Sequence, residues 1–206
     1  MKSGLFLTFE GIDGSGKSTQ SRMLAERLTG AGHDVVLTRE PGGSDGAEEI
    51  RKLLVEGGTD RWSPETEILL FTAARRDHLE RTIRPALASG KIVISDRFAD
   101  STRVYQGAAR GDLRPLVDQL HSLMIGQEPD LTLIIDMDAG TALRRGLARQ
   151  SGEDRFEDFG EAFQNTLRQG FRALPKDFPD RCRLIDGNCP AEQVSQDVLA
   201  MVETML

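Results

Sequence analysis

A glycine-rich segment near the start of the sequence is followed directly by a lysine and two hydroxyl residues. The pattern Gly-x-x-x-x-Gly-Lys-Ser/Thr is matched by Gly11, Gly16, Lys17 and Ser18. Glycines let the backbone approach phosphate oxygens closely, and successive N–H groups at a helix start attract anions. In this pattern the lysine reaches the outer phosphates, and the Ser18 hydroxyl is suited to binding Mg²⁺. A chance turn is the alternative, but an apolar run before it and a helical pattern after it favour a polyphosphate site.

Charged pairs follow two further apolar runs. Arg39 and Glu40 precede Pro41 and two glycines, which predict a rigid turn next to a ligand. Asp96 and Arg97 follow the next run, where an aspartate could hold Mg²⁺ and an arginine could clamp a phosphate. Simple ion pairs, between Arg39 and Glu40 or at Asp96–Arg97, are the alternatives.

Two groups of side chains are suited to reading a nucleobase and its sugar. Phe71 and Arg75 lie four residues apart and share one helix face, so that a ring and a guanidinium could stack on a base and bond its edge. Taken alone, Phe71 is more typical of a core residue than of a base platform. A run of uncharged hydrogen-bonding groups, which also fits a capped helix start, comprises Ser101, Thr102, Tyr105 and Gln106.

A segment at about 141–158 is rich in arginine and contains a polar Gln-Ser-Gly hinge. Its arginines are Arg144, Arg145, Arg149 and Arg155. Such a segment could be a lid that closes on phosphate groups and excludes water. A solvated helix face is the alternative.

These residues need a scaffold that brings them to one edge. Short apolar runs at 5–9, 34–38, 91–95, 131–136 and 182–186 predict five buried strands, separated by helical stretches. Alternating strands and helices predict a doubly wound parallel sheet, whose ligands bind beyond the carboxyl ends of the strands. We expect helices from 17 to about 31, from about 64 toward 87, over 112–126 with Leu116, Leu120 and Leu123 on its apolar face, and after Pro190. The sequence predicts a single domain over residues 1–206.

Composition limits the function further. The net charge is −7, which argues against bulk binding to nucleic acid or to anionic membranes. No window is apolar enough for a transmembrane helix, and the first apolar run stops at Glu10, so a cytoplasmic protein is expected. Cys182 and Cys189 lack the spacing of metal ligands.

The motifs together resemble one family. The P-loop segment Phe-Glu-Gly-Ile-Asp-Gly-Ser-Gly-Lys-Ser-Thr, the turn Thr-Arg-Glu-Pro-Gly-Gly, and the segments Asp-Arg-Phe and Tyr-Gln-Gly, in this order, resemble thymidylate kinase. The resemblance implies a P-loop NTPase fold of the nucleoside monophosphate kinase type, with a five-stranded parallel sheet flanked by helices. It also implies transfer of the γ-phosphoryl group of ATP to dTMP, giving dTDP and ADP, with Mg²⁺ and as a homodimer.

The resemblance also implies roles for individual residues. The catalytic set is Asp13, Lys17, Arg97, Arg149 and Arg155. ATP binding is expected of Gly11, Ile12, Asp13, Gly14, Ser15, Gly16, Lys17, Ser18, Thr19 and Arg144, the last by packing on adenine. The dTMP site is expected to comprise Asp13, Arg39, Pro41, Phe71, Arg75, Arg97, Ser101, Thr102, Tyr105 and Gln106, with Tyr105 where a ribose 2′-hydroxyl would have to fit. Mg²⁺ is expected at Asp13, Ser18 and Asp96.

One departure from part of the family concerns the P-loop. Some members carry an arginine after the P-loop acid, whereas this sequence has Gly14 there. The resemblance therefore implies that the lid supplies the arginine, with Arg149 and Arg155 as candidates.

Two other functions stay open at the level of sequence. A kinase of another nucleotide or of a deoxynucleoside would share the P-loop. A GTPase-type switch is less compatible, because neither Asn165 nor Asn188 is followed by the lysine of the usual guanine-reading motif.

Overall fold

The protein, described here from a computed structural model, is built around a five-stranded sheet whose paired strands all run parallel. The structure describes residues 4–58, 60–108, 111–148 and 160–206. The strands are β1 Leu5–Glu10, β2 Val35–Arg39, β3 Ile92–Asp96, β4 Leu131–Asp136 and β5 Cys182–Asp186, in the spatial order β2-β3-β1-β4-β5. This confirms the predicted doubly wound sheet, and each predicted strand is matched within about one residue at each end.

Helices lie between the strands. They are α1 Lys17–Gly30, α2 Asp45–Val55, α3 Pro64–His78, α4 Arg84–Ala88, α5 Ala99–Thr102, α6 Arg114–Leu120, α7 Ala139–Leu147, α8 Gly160–Asp177 and α9 Ala191–Glu203. Three π-helical segments, π1 Leu79–Ile83, π2 Arg103–Ala108 and π3 His121–Ile125, continue α3, α5 and α6 respectively. The sequence patterns had not separately predicted α2 and α8.

The inner strands are covered on both faces, as predicted. Phe6, Leu7 and Phe9 of β1 are fully buried, and apolar residues of β3 and β4 join the same core. The expectation fails for the edge strands, because β2 and β5 expose Leu37 and Leu184. An edge strand has a neighbour on one side only, so a flanking helix covers it less completely.

The predicted long helix from residue 64 is confirmed as α3, π1 and α4 in succession. Ser63 caps its start, because its hydroxyl accepts the Thr66 N–H at 3.2 Å, and Pro64 occupies the first turn, where a missing N–H costs nothing. Pro85 lies just after the widened π1 turn, which accommodates a residue that breaks ordinary helical hydrogen bonding.

The apolar face predicted for 112–126 is wrong in register. The buried side chains of α6 and π3 are Val117, His121 and Ile125, whereas Leu123 is 71% exposed. A π turn inserts an extra residue per turn and rotates the following side chains around the axis. The offset already begins in α6, before π3, where Val117 is the buried residue and Leu116 is only half-buried; the π turn adds to it at Leu123.

Candidate active site

The P-loop links β1 to α1 and forms a short turn at the carboxyl edge of the sheet. Gly11, Gly14 and Gly16 have φ values of 134°, 80° and 101°, a region that side chains with a Cβ rarely adopt. Lys17 is buried, and its ammonium donates to the carbonyl oxygen of Ile12 at 2.8 Å. Ser15 is also buried, and its hydroxyl finds no hydrogen-bond partner within the described ranges. The loop therefore presents backbone N–H groups, a lysine and a hydroxyl at one place.

Gly14 fits closely against the start of the predicted lid. A Cβ on this residue would stand 1.9 Å from the carbonyl oxygen of Ala142 in α7. An arginine at this position would clash with α7 as it is placed here. The close packing of α7 against the P-loop therefore depends on a glycine, rather than an arginine, at position 14.

Electrostatics around the P-loop centre on Lys17 and Asp13. Burial, together with the neighbouring Arg97 guanidinium, lowers the pKa of Lys17 to about 8. Burial alone would raise the pKa of Asp13, but the charges of Arg97 and Lys17 and hydrogen bonds from Arg97 and Tyr105 lower it to about 2. Asp13 is therefore held as a carboxylate in contact with cationic groups.

Arg97 connects the P-loop to the turn between β3 and α5. Its guanidinium pairs with Asp13 and donates to the Gly11 carbonyl at 3.2 Å and to the Ser101 hydroxyl at 2.8 Å. It also donates to Tyr105 Oη at 3.2 Å, and Tyr105 in turn donates to Asp13 at 2.7 Å. A salt bridge that supports the loop, the alternative considered for this turn, is therefore present, and it joins Arg97 to Asp13 of the P-loop.

The backbone at Arg97 is unusual, with a φ of 72°. A non-glycine residue in this region is strained, and such residues concentrate at functional sites. This backbone conformation directs the Arg97 side chain from the end of β3 toward the P-loop.

Glu10 supports this turn, a role that the motif analysis did not assign to it. Its carboxylate accepts the Phe98 N–H at 2.7 Å and the Ser101 hydroxyl at 2.6 Å. Burial and the nearby Asp100 raise the pKa of Glu10 to about 7. Its partners lie 88 and 91 residues away in the chain, so its role could not be read from local spacing.

The far end of the site is formed by α3 and the Glu40–Pro41 turn. Arg75 donates to Glu40 at 2.7 Å, to the Phe98 carbonyl at 3.1 Å and to the Thr102 hydroxyl at 3.0 Å. The other Glu40 oxygen lies 3.0 Å from His78 Nδ1, and His78 Nε2 is 2.7 Å from the Thr38 hydroxyl. Arg75 is thus held rigidly.

The local ion pair considered between Arg39 and Glu40 is wrong. Arg39 lies on the exposed side of the turn and pairs with Glu48 at 3.1 Å. Glu40 points the other way, into the buried contacts with Arg75 and His78. Successive residues of an extended strand point to opposite faces, which separates the two side chains.

A cavity of about 270 Å³ joins these elements. All ten residues expected to bind dTMP line it: Asp13, Arg39, Pro41, Phe71, Arg75, Arg97, Ser101, Thr102, Tyr105 and Gln106. Lys17, Ser18 and Asp96 line its other end, and Arg51, which the motifs did not reveal, lines the side next to Pro41. Residues 101–106 lie in α5 and π2, and their polar side chains line the cavity. The alternative of a capped helix start is wrong, because α5 begins at Ala99 after Phe98, which provides no side-chain cap.

The lid residues are only partly covered by the structure. Arg144 is exposed on α7 and donates to the Thr141 hydroxyl at 3.0 Å. Arg149 and Arg155, the candidates for the lid arginine, lie outside the described residues. Their expected roles stay predictions. Among the helices of the described residues, none combines the length and hydropathy needed to cross a membrane.

Comparison with known proteins agrees with this geometry. The family model for thymidylate kinase matches residues 9–198. Thymidylate kinase from Ruegeria pomeroyi is 68% identical over 204 residues, which cover 99% of this chain and 97% of that protein. Thymidylate kinase from Dinoroseobacter shibae is 71% identical over 197 residues, covering 96% and 95%. The crystal structure of thymidylate kinase from Ehrlichia chaffeensis matches with a TM-score of 0.80 and 39% identity, covering 97% of this chain and 99% of that one.

Proposed function

Since this chain belongs to the thymidylate kinase family, we propose that its P-loop holds ATP and that the adjoining cavity holds dTMP. The reaction transfers the γ-phosphoryl group of ATP to dTMP, giving dTDP and ADP. One observation carries the assignment of the two ends. The cavity runs without interruption from Lys17 and Ser18 to Phe71 and Arg75, with the Arg97–Asp13 pair between them.

The chemistry requires positioning and charge stabilisation. A dTMP phosphate oxygen forms a bond to the γ-phosphorus while the bond from that phosphorus to the oxygen bridging to ADP breaks, so no separate nucleophile is needed. Lys17 and the P-loop N–H groups bind the donor phosphates, and Arg97 holds the acceptor phosphate as charge shifts between them. A lid arginine, Arg149 or Arg155, completes the clamp in this proposal.

The acceptor nucleoside is held at the opposite end. Phe71 supplies a ring for stacking on the base, and Arg75 supplies donors for its edge. Tyr105 lies against Asp13, at the place proposed for the sugar, where its bulk disfavours a ribose 2′-hydroxyl. Discrimination for deoxyribose would then be steric.

Mg²⁺ belongs to the proposal as the companion of ATP. The Ser18 hydroxyl and the Asp96 carboxylate line the same cavity and offer the oxygen ligands that Mg²⁺ prefers. Both oxygens of Asp13 already accept hydrogen bonds, from Arg97 and Tyr105, so Ser18 and Asp96 are the better candidates of the three. Among the described residues, no group of three or more His, Cys, Asp or Glu side chains is placed to hold a metal ion. When bound, the ion would offset phosphate charge.

An acceptor screen tests the function. Release of ADP is measured with ATP and each of dTMP, dUMP, dCMP and thymidine. We expect dTMP to be used far more efficiently than dCMP or thymidine. Comparable rates with thymidine would favour a deoxynucleoside kinase, and rapid hydrolysis of GTP without acceptor would favour a GTPase-type switch.

We also propose that residues 1–206 form a single kinase domain, that the protein is cytoplasmic, and that it assembles as a homodimer. Supporting evidence comes from exposed apolar side chains: Leu69 is 58% exposed, Leu123 71% and Met124 45%. Leu69 lies two helical turns before Arg76, whose guanidinium donates to the Met124 carbonyl at 2.6 Å, which brings α3 and π3 together. Sedimentation of wild type and Leu123→Glu tests the dimer: we expect the variant to be shifted to monomer, and a monomeric wild type would contradict the proposal.

A further inference from the structure

Three chemically different side chains share one face of α3. Glu67, Phe71 and Arg75 are spaced by four residues, so that they follow one another along the helix. Phe71 and Arg75 line the cavity, whereas Glu67 is fully buried behind it. A buried carboxylate is costly unless its oxygens accept hydrogen bonds, so its position there calls for a reason.

The contact of Glu67 with the cavity runs through Gln106. Gln106 lines the cavity, is 1% exposed, and donates from Nε2 to Glu67 Oε2 at 3.0 Å. A carboxylate accepts hydrogen bonds and cannot donate them, whereas an amide side chain has one donor end and one acceptor end. Glu67 therefore fixes which way the Gln106 amide is turned. The carbonyl oxygen Oε1 is left as the acceptor for a ligand.

Arg75 is fixed in a comparable way. Its hydrogen bonds to the described residues use Nε, toward Glu40, and Nη2, toward Phe98 and Thr102. Nη1 is the donor left for the cavity. Beside the Phe71 ring, the site thus offers a donor from Arg75 and an acceptor from Gln106.

We infer that Glu67 is a positioning residue that sets base specificity, because it holds the Gln106 amide with its oxygen toward the base. The inference rests on the proposed dTMP site. Thymine carries an acceptor, O4, next to a donor, N3–H, and this pair complements Arg75 and Gln106. Cytosine carries the reverse, an amino donor next to the N3 acceptor, so both contacts would be mismatched.

Glu67→Gln tests the inference, because an amide at 67 can face Gln106 with either end and no longer fixes its orientation. We expect kcat/KM for dTMP to fall about tenfold and the preference for dTMP over dCMP to fall at least tenfold. The preference is a ratio measured on one preparation, so it does not depend on the fraction of folded enzyme. Glu65→Gln is the matched control: it removes a carboxylate from the first turn of the same helix, but at an exposed position.

A swapped pair provides the rescue. In Glu67→Gln/Gln106→Glu, the amide at 67 donates to one oxygen of the carboxylate at 106, and the other oxygen accepts from N3–H. We expect this double variant to recover most of the dTMP preference lost in Glu67→Gln. Thermal unfolding shows whether Glu67→Gln is folded. If it is not, the double variant alone tests the inference.

The possible outcomes distinguish a failure of the proposed function from a failure of the role of Glu67. A wild type that does not prefer dTMP overturns the proposed function. A wild type that prefers dTMP, with an unchanged dTMP:dCMP preference in folded Glu67→Gln, overturns the role of Glu67 alone. A double variant that folds but has no preference for dTMP also overturns it.

Discussion

Arg75 and Glu40 form a buried ion pair beside the cavity, at the end proposed to hold the base, with Nε and Oε2 separated by 2.7 Å and each side chain 4% exposed. The pair joins the last turn of α3 to the Glu40–Pro41 turn. It keeps the Arg75 guanidinium in one orientation, with its remaining donor toward the cavity. In the proposed dTMP site, Arg75 would bind the base edge with little further loss of side-chain entropy.

Glu40→Gln should weaken recognition of dTMP. The change leaves a buried guanidinium with a neutral neighbour, which typically costs a protein about 3–5 kcal/mol of stability. We expect KM for dTMP to rise about tenfold or more, with a smaller change in KM for ATP, measured by initial rates under conditions where the variant is folded. Glu80→Gln is the control, because Glu80 forms an exposed pair with Arg76. Equal losses toward both substrates would argue against a role at the base end.

Affinity for ATP should depend on pH through Lys17. Its pKa of about 8 means that, in the ligand-free enzyme, Lys17 loses its proton as the pH rises through 8 rather than near 10.5. Because only the charged form attracts phosphates strongly, the affinity for ATP should be steady from pH 7 to 7.5 and fall toward tenfold per pH unit above 8. Calorimetric titrations between pH 7 and 9.5 measure this.

Lys17→Arg serves as the control for the pH experiment. Arginine stays charged throughout this range, so whatever its absolute affinity, the variant should show little dependence on pH. A wild-type affinity that stays flat to pH 9.5 would show that Lys17 keeps an ordinary pKa. An identical decline in both proteins would assign the titration to another group.

Arg97→Ala should remove the central contact of the phosphate end. We expect kcat to fall about 10²–10³-fold, as when a preorganised group at developing charge is deleted. Arg97→Lys should recover little, because the two Nη nitrogens of Arg97 make four contacts, more than the three donors of a single ammonium can replace. Arg81→Ala, at a position 76% exposed, is the control. Rates within threefold of wild type in folded Arg97→Ala would exclude this role.

The sequence was sufficient to predict features whose signals are local. The P-loop, the strand runs and the Phe71–Arg75 spacing are all encoded in short windows, and the resemblance added Asp13 to the expected dTMP site. Parallel topology then follows from the alternation of strands and helices. The residues that follow the predicted strands therefore lie together at the carboxyl edge of the sheet, as expected.

The residues that support the site were not predictable from the same signals. Glu10, Glu40 and Glu67 act on partners 35 to 91 residues distant in the chain, so their roles depend on the tertiary structure. The apolar face of 112–126 failed for a different reason, because its leucines lie beside the buried positions Val117, His121 and Ile125 rather than on them. Local patterns thus predict which side chains do chemistry better than which side chains hold them in place.

Glu10 should make stability depend on pH. Its pKa is raised from 4.5 to about 7 in the folded protein, so the fold favours the protonated form. The resulting stabilisation is complete below pH 4.5 and is lost as the pH rises through 7. Relative to Glu10→Gln, which stays neutral, the free energy of unfolding of wild type should fall by about 2–3 kcal/mol between pH 5 and 8. Urea unfolding at several pH values measures this difference. Glu26→Gln, an exposed change on α1, should track wild type throughout. A constant difference between wild type and Glu10→Gln would mean that Glu10 is ionised over the whole range.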